Sequence, residues 1–359
     1  MKIYKLFTAL LILVFLSSCG EDEPSLNLEI PDEYTSADFD TNVTTEATVL
    51  AELSAMTAAV NAAEAGAQGE TIPAIPYPSN LSFITEPNYR TLVEGWLVEL
   101  VAAANSTTGF QNPGTGTPAA EEEGGLLGTR LLDENGLELE QNVQKGSFGA
   151  ALYNHALTVI DGDLSNSSAV DKLVLIHGTN PAFDPSATTA AATYSRRRSN
   201  QTTQTGFFYD IRNALIIAKA AIEGGDLFNT QRDQALEDYL LAWEKSNYAT
   251  VIYYCNATKV QLQAAGDDPE ALGNAMHAYA EGVGFAHGFR GVSRKLITDA
   301  QIDGILELLL APAGQTPESY RFLNDATLLA NLDQIISDIQ SIYGFTDAEI
   351  NTFYENDPT

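Results

Sequence analysis

The sequence predicts an all-α protein, a bundle of antiparallel helices with long loops. Three observations carry this prediction. Apolar residues recur at helical spacing through most of the chain, Pro falls between those runs or at their start, and only strand-like fragments compete.

The elements follow in order. From Thr45 to about Glu64, apolar Val49, Leu50, Leu53, Met56 and Val60 keep helical spacing without Pro or Gly. GAQGETIPAIPYPSN then reads as a loop, and TEPNYRTLVEGWLVELVAAAN sets Leu92, Trp96, Leu97, Leu100 and Val101 on one stripe of a second helix. Residues 106–128 are rich in Gly, Pro and Thr, and read as an exposed excursion of poor order. Asn135-Gly136 marks a turn before an amphipathic helix from Leu137 to Ile160. DKLVLIHGTNPAFDPS reads as a short apolar run ending in loop chemistry, and Arg196-Arg197-Arg198 as part of a solvated loop. Residues 207–226 form a helix stopped at Gly224-Gly225. Thr230 to Gly266 is free of Pro yet long enough that a kink is expected. Pro269 opens the next helix as a good first-turn residue. ITDAQIDGILELLL, SYRFLNDATLLANLDQIISDIQSIYG and TDAEINTFYE complete the set.

The N-terminus predicts export. Lys2 and Lys5 precede an apolar run from Leu6 to Leu16, the layout of a signal peptide over residues 1–18. The sequence Leu16-Ser17-Ser18-Cys19 resembles the lipobox of bacterial lipoproteins, which implies lipidation at Cys19. Residues 19–30 form an acidic, polar tether. Residues 31–359 are then the helical domain, and a division into two bundle halves would fall near residues 165–206.

Composition narrows the partners. Lys and Arg number 18 against 48 Asp and Glu, a formal charge of -30. A field of that sign repels nucleic acid and favours cations, including metal ions. Besides Cys19 only Cys255 is present, so packing rather than an intrachain disulfide must hold the fold, and Cys255 reads as a small buried apolar residue.

The stretch HAYAEGVGFAHGF carries the sharpest site. His277 and Glu281 are four apart and share a helical face. His287 lies about 80° round the axis and joins them only if the helix bends. With a carboxylate from a facing helix, Glu244 or Asp210, the pair would hold a divalent metal. The competing reading is a His-Glu hydrogen bond inside a crowded interface, where glycines and alanines let helices approach closely. His177 is a possible loop contribution, but no Gly-x-Ser-x-Gly elbow accompanies VLIHGTNPAF, so a hydrolase reading fails. His-Glu-x-x-His is absent too. Trp243 reads as a core anchor.

LLDENGLELEQNVQKGSFGAALYNHAL, AIEGGD, LAWEKSNYATVIYYCNAT and HAYAEGVGF followed by ITDAQIDGIL form an ordered set of phrases from about Ile30 onward. Together they resemble a family of Bacteroidetes lipoproteins catalogued as domain of unknown function 4856. Where that family carries a His-rich phrase ending Trp-Asp-Glu-Ala-Phe-Gly, this chain has LVLIHGTNPAFDP, which keeps only His177. A more distant similarity is to imelysin-like helical lipoproteins associated with iron uptake or peptidase activity. Their Gly-x-His-x-x-Glu signature is not met, because His277 to Glu281 has one residue more.

The sequence therefore predicts an outer-membrane-anchored helical lipoprotein, on a membrane face left open, that acts as a binding or accessory module rather than an enzyme. The cofactor is left open, with a divalent metal as one candidate, and besides the membrane at the N-terminal lipid an outer-membrane receptor or uptake protein is a candidate partner. An imelysin-like metal-dependent peptidase and a structural accessory lipoprotein without a ligand site are the alternatives.

Overall fold

The computed structural model describes residues 27–358, so the predicted signal peptide, Cys19 and most of the predicted tether lie outside the described residues. The fold is all-α, with two minute antiparallel hairpins. Among the described residues no helix is long and apolar enough to cross a membrane.

The chain begins with the short α1 (Phe39–Asn42) and the long α2 (Thr44–Gly66). Next come α3 (Ser79–Ile84) and α4 (Pro87–Asn105), the latter capped by Glu86, whose carboxylate accepts the Tyr89 N–H at 2.8 Å. The apolar stripe of α4 is rotated from the expected one. Val93, Leu97 and Leu100 are buried, while Leu92 and Trp96 are half-buried at its edge.

The excursion 106–128 is better anchored than its composition suggests. Asn112 and Asn324 exchange side-chain hydrogen bonds at 2.8 and 3.1 Å, and the Tyr320 hydroxyl donates to the Gly116 carbonyl at 2.9 Å. Its end forms β1 (Gly125–Leu127), paired with β2 (Arg130–Leu132). A tight turn follows, in which the Asp133 carboxylate accepts the N–H groups of Asn135 and Leu137, and Gly136 takes φ +80°.

α5 (Leu139–Ser147) passes into a π-helical stretch, Phe148–Tyr153, and then α6 (Asn154–Ile160). DKLVLIH is not a strand-like run. It belongs to α7 (Ser168–His177), closed by Gly178 at φ +106°. α8 (Ala190–Arg197) and the hairpin β3 (Ser199–Asn200) and β4 (Thr205–Gly206) follow. Arg198 is buried rather than solvated, and donates to the Phe353 carbonyl and to Asn356. α9 is Phe207–Gly224.

α10 (Asn229–Ala265) runs 37 residues as one uninterrupted helix. Residues 246–252 are all buried in succession, which marks a stretch wrapped by neighbours rather than one with a solvent face. It packs between α9 and α11 (Pro269–His287), with α13 (Leu329–Tyr343) and α14 (Asp347–Phe353) also against it. α12 (Asp299–Leu308) packs on α11. One apolar core runs through the whole assembly, and residues 165–206 contribute Val170, Leu173, Phe183 and Ala192 to it.

The contact between α5 and α11 positions the site. A Cβ on Gly284 would stand 2.7 Å from the Gln141 carbonyl, and one on Gly149 would stand 2.7 Å from the Gly288 backbone. Only glycine lets these backbones touch.

Candidate functional site

Two elements bring acidic side chains to one place. Glu138 occupies the N-cap of α5, so its side chain leaves the backbone just before the helix begins, and Glu140 sits in the first turn. Glu64 comes from the last turns of α2. One oxygen from each of Glu64, Glu138 and Glu140 lies within 4.8 Å of the others.

His277 on α11 completes the group. Its Nδ1 stands 2.8 and 3.0 Å from the two oxygens of Glu138, and its Nε2 stands 3.7 Å from Glu281. The expected helical pair therefore exists, but the facing carboxylate is Glu138, not Glu244 or Asp210. Lys145 reaches Glu281 at 3.1 Å. Arg130 lies 3.8 Å from Glu64 and 3.9 Å from Glu138.

Burial grades across the cluster. The Glu138 side chain is fully buried, whereas those of Glu64 and His277 keep 16% and 25% of their surface exposed. The floor is dry and the rim is wet, which gives a small ion a way in.

Burial raises the pKa values of two of these carboxylates, and crowding adds to it. Burial, then the charges of Glu138 and Glu140, push Glu64 up to about 8; burial and Glu138 push Glu140 up to about 7. Burial works against the Lys145 ammonium, but Tyr194 and Glu281 outweigh it and hold this group above the ordinary lysine range. Lys145 and Glu281 thus satisfy each other. Arg130 is then shared by Glu64 and Glu138, which also accept the Leu131 N–H and the Gln141 side-chain N–H, each at 3.3 Å.

The remaining predicted residues lie elsewhere. α11 ends at His287 but does not bring it to the cluster. His287 packs edge-on against Tyr89 and Trp96, with ring centroids 5.3 and 5.7 Å away, and burial pushes its pKa down to about 4. Glu244 is a structural acceptor: it takes the N–H groups of Leu296 and Ile297 at 2.8 Å and the Tyr343 hydroxyl at 2.7 Å. Asp210 is exposed on α9. His177 ends α7 and is fully buried, with Nε2 3.0 Å from the Ser195 hydroxyl and its ring against Trp243, a core anchor as expected. Cys255 is buried and burial pushes its thiol up to about 12, so it is inert at neutral pH.

Sequence reasoning missed Glu64, Glu138 and Glu140. The alternation in LELE resembles a solvated helix face, and nothing local marks Glu64. Comparison with protein-family models, with curated proteins and with solved structures finds no match to this chain.

Proposed function

We propose that the chain is an envelope lipoprotein, held at the outer membrane through Cys19, that captures a divalent cation with Glu64, Glu138, Glu140 and His277. The observation that carries this reading is the convergence of three carboxylates from α2 and α5 within 4.8 Å, with the His277 imidazole against the deepest of them. Ligand atoms about 2.1 Å from a metal sit roughly 3 to 4 Å from one another, so small side-chain movements close the set around an ion. Oxygen donors suit hard cations, and an imidazole shifts the preference toward first-row metals, so Mn²⁺ or Fe²⁺ fits better than Ca²⁺.

A role in capture rather than hydrolysis is supported by Glu281. A peptidase reading needs it as a free base, and Lys145 holds it in an ion pair. The charge of -30 gathers cations toward the protein, consistent with an accessory role beside an outer-membrane uptake receptor. Metal analysis of the chain from residue 25, purified without chelator beside Glu138→Gln, tests the proposal. The wild type retains a first-row ion and the variant loses it; equal, metal-free proteins would overturn it.

A further inference from the structure

The described residues begin at one corner of the fold. Residues 27–30 run beside the turn between α9 and α10, where a Cβ on Gly224 would stand 3.5 Å from Leu28 Cδ1. That turn buries Phe228 and leaves its neighbour Leu227 72% exposed. Ile30, two residues past the Leu28 contact, is 52% exposed. Six large apolar side chains stand exposed among the described residues, and two of them, Ile30 and Leu227, flank this one contact. Exposed apolar side chains scattered singly need no explanation, but a pair gathered where the chain enters the fold does.

The entry is also fixed to the body. The buried Asp171 carboxylate on α7 accepts the Tyr34 hydroxyl at 2.5 Å, the Ser36 hydroxyl at 2.8 Å and the Asn42 side-chain N–H at 2.7 Å. Losing these donors would strand a buried acceptor, so residues 34–42 stay in place. Covalent geometry then limits how far the corner stands from Cys19. Whatever path they take, the eight residues from Cys19 to Leu26 reach at most about 29 Å, at about 3.6 Å per residue. The other end of α10 is farther off. Val260, also exposed, lies about 46 Å along that helix from Asn229, at about 1.5 Å per residue.

We propose that the corner carrying Ile30 and Leu227 rests on the lipid bilayer, with both side chains in the boundary between headgroups and acyl chains beside the anchor. This inference rests on the anchoring through Cys19 proposed above. An anchor alone fixes distance and not orientation, and apolar side chains buried at the boundary supply the second hold. Glu29 and Asp226 are exposed at the same corner, so attraction to anionic headgroups does not seat it, and the insertion is shallow.

The test uses the full-length chain recovered from membranes, with bimane attached at Leu227→Cys or at Val260→Cys, in phosphatidylcholine vesicles that contain a nitroxide-labelled phosphatidylcholine. Cys255 is buried and its thiol is pushed up to about 12, so it escapes the label. Nitroxide quenching several-fold stronger at position 227 than at position 260 is expected, and Ile30→Ser lowers it at position 227. Mass spectrometry of the N-terminal peptide reports the state of Cys19. Equal quenching at the two positions of an acylated chain would overturn the bilayer contact and leave the anchor standing. An unacylated Cys19 would overturn the anchor, and this inference with it.

Discussion

His277 Nδ1 stands 2.8 Å from Glu138 Oε2, although 139 positions separate the two residues in the chain. The contact joins the N-cap of α5 to the middle of α11, and the glycine-lined crossing of those helices sets its geometry. Around it, carboxylates that repel one another are held together by the packing of α2, α5 and α11. Such an arrangement stores an unfavourable interaction that a proton or a cation relieves.

The first prediction concerns pH. Glu64 and Glu140 have folded-state pKa values raised to about 8 and about 7, against 4.5 ordinarily, so the native state keeps protons that the unfolded chain has lost. The stability they contribute is present below pH 4.5 and is lost as pH rises toward 8. In chelator, this contribution makes the melting temperature of wild type fall between pH 6.5 and 8, above the range in which the buried histidines act in the opposite sense, and Glu64→Gln flattens the slope. A slope unchanged in Glu64→Gln would show that the cluster does not titrate as described.

A second prediction has the opposite sign. Burial pushes His177 down to about 3 from 6.5, so the unfolded chain binds a proton that the native state refuses. Stability is lost as pH falls from 6.5 toward 3. His177→Leu lowers stability overall, because the Ser195 hydroxyl loses one of its partners and the ring's packing on Trp243 is lost, yet shows a shallower acid limb in urea titrations at stepped pH. An equally steep limb would contradict this assignment.

Gly284→Ala tests the helix crossing. Alanine gains up to about 1 kcal/mol of helix propensity, but its methyl meets the Gln141 carbonyl at 2.7 Å, and overpacking costs about 1 to 3 kcal/mol. Net destabilisation in chemical denaturation is expected, together with weaker metal binding as α5 moves away from α11. A stabilised variant would mean that the helices do not touch there.

Glu244→Ala separates structure from site. Removing this carboxylate strands the N–H groups of Leu296 and Ile297 and the Tyr343 hydroxyl, a loss of about 3 kcal/mol. Metal affinity, measured on the fraction that remains folded, stays at the wild-type value. A loss of affinity would return Glu244 to the site.

The fold class was legible because helical spacing of apolar residues is a local property, as in Val49, Leu53, Met56 and Val60, all buried on α2. The His277 and Glu281 pair was legible for the same reason, since four residues make one turn. Their partners were not. Glu138 and Glu140 become neighbours of Glu64 only through the β2 turn and the docking of α2, and a glutamate bound for burial looks in sequence like one bound for solvent. Glu244 shows the converse. It stood out in a helical phrase with Trp243, and its burial serves the chain that follows α11 instead of a ligand. The burial of α10 on all sides was hidden too, because most of the elements that enclose residues 246–252 are far away in sequence.

The most direct test of the central claim is a thermal-shift titration of the chelator-stripped protein with Mn²⁺ and Fe²⁺, anaerobically for the latter, beside Glu138→Gln and His277→Ala. Metal capture at this cluster predicts a wild-type melting temperature that climbs with metal concentration, as mass action requires, and a response reduced or abolished in both variants. A wild type insensitive to either ion, or variants that respond as fully as wild type, would contradict it and leave the cluster as a proton-sharing element of the core.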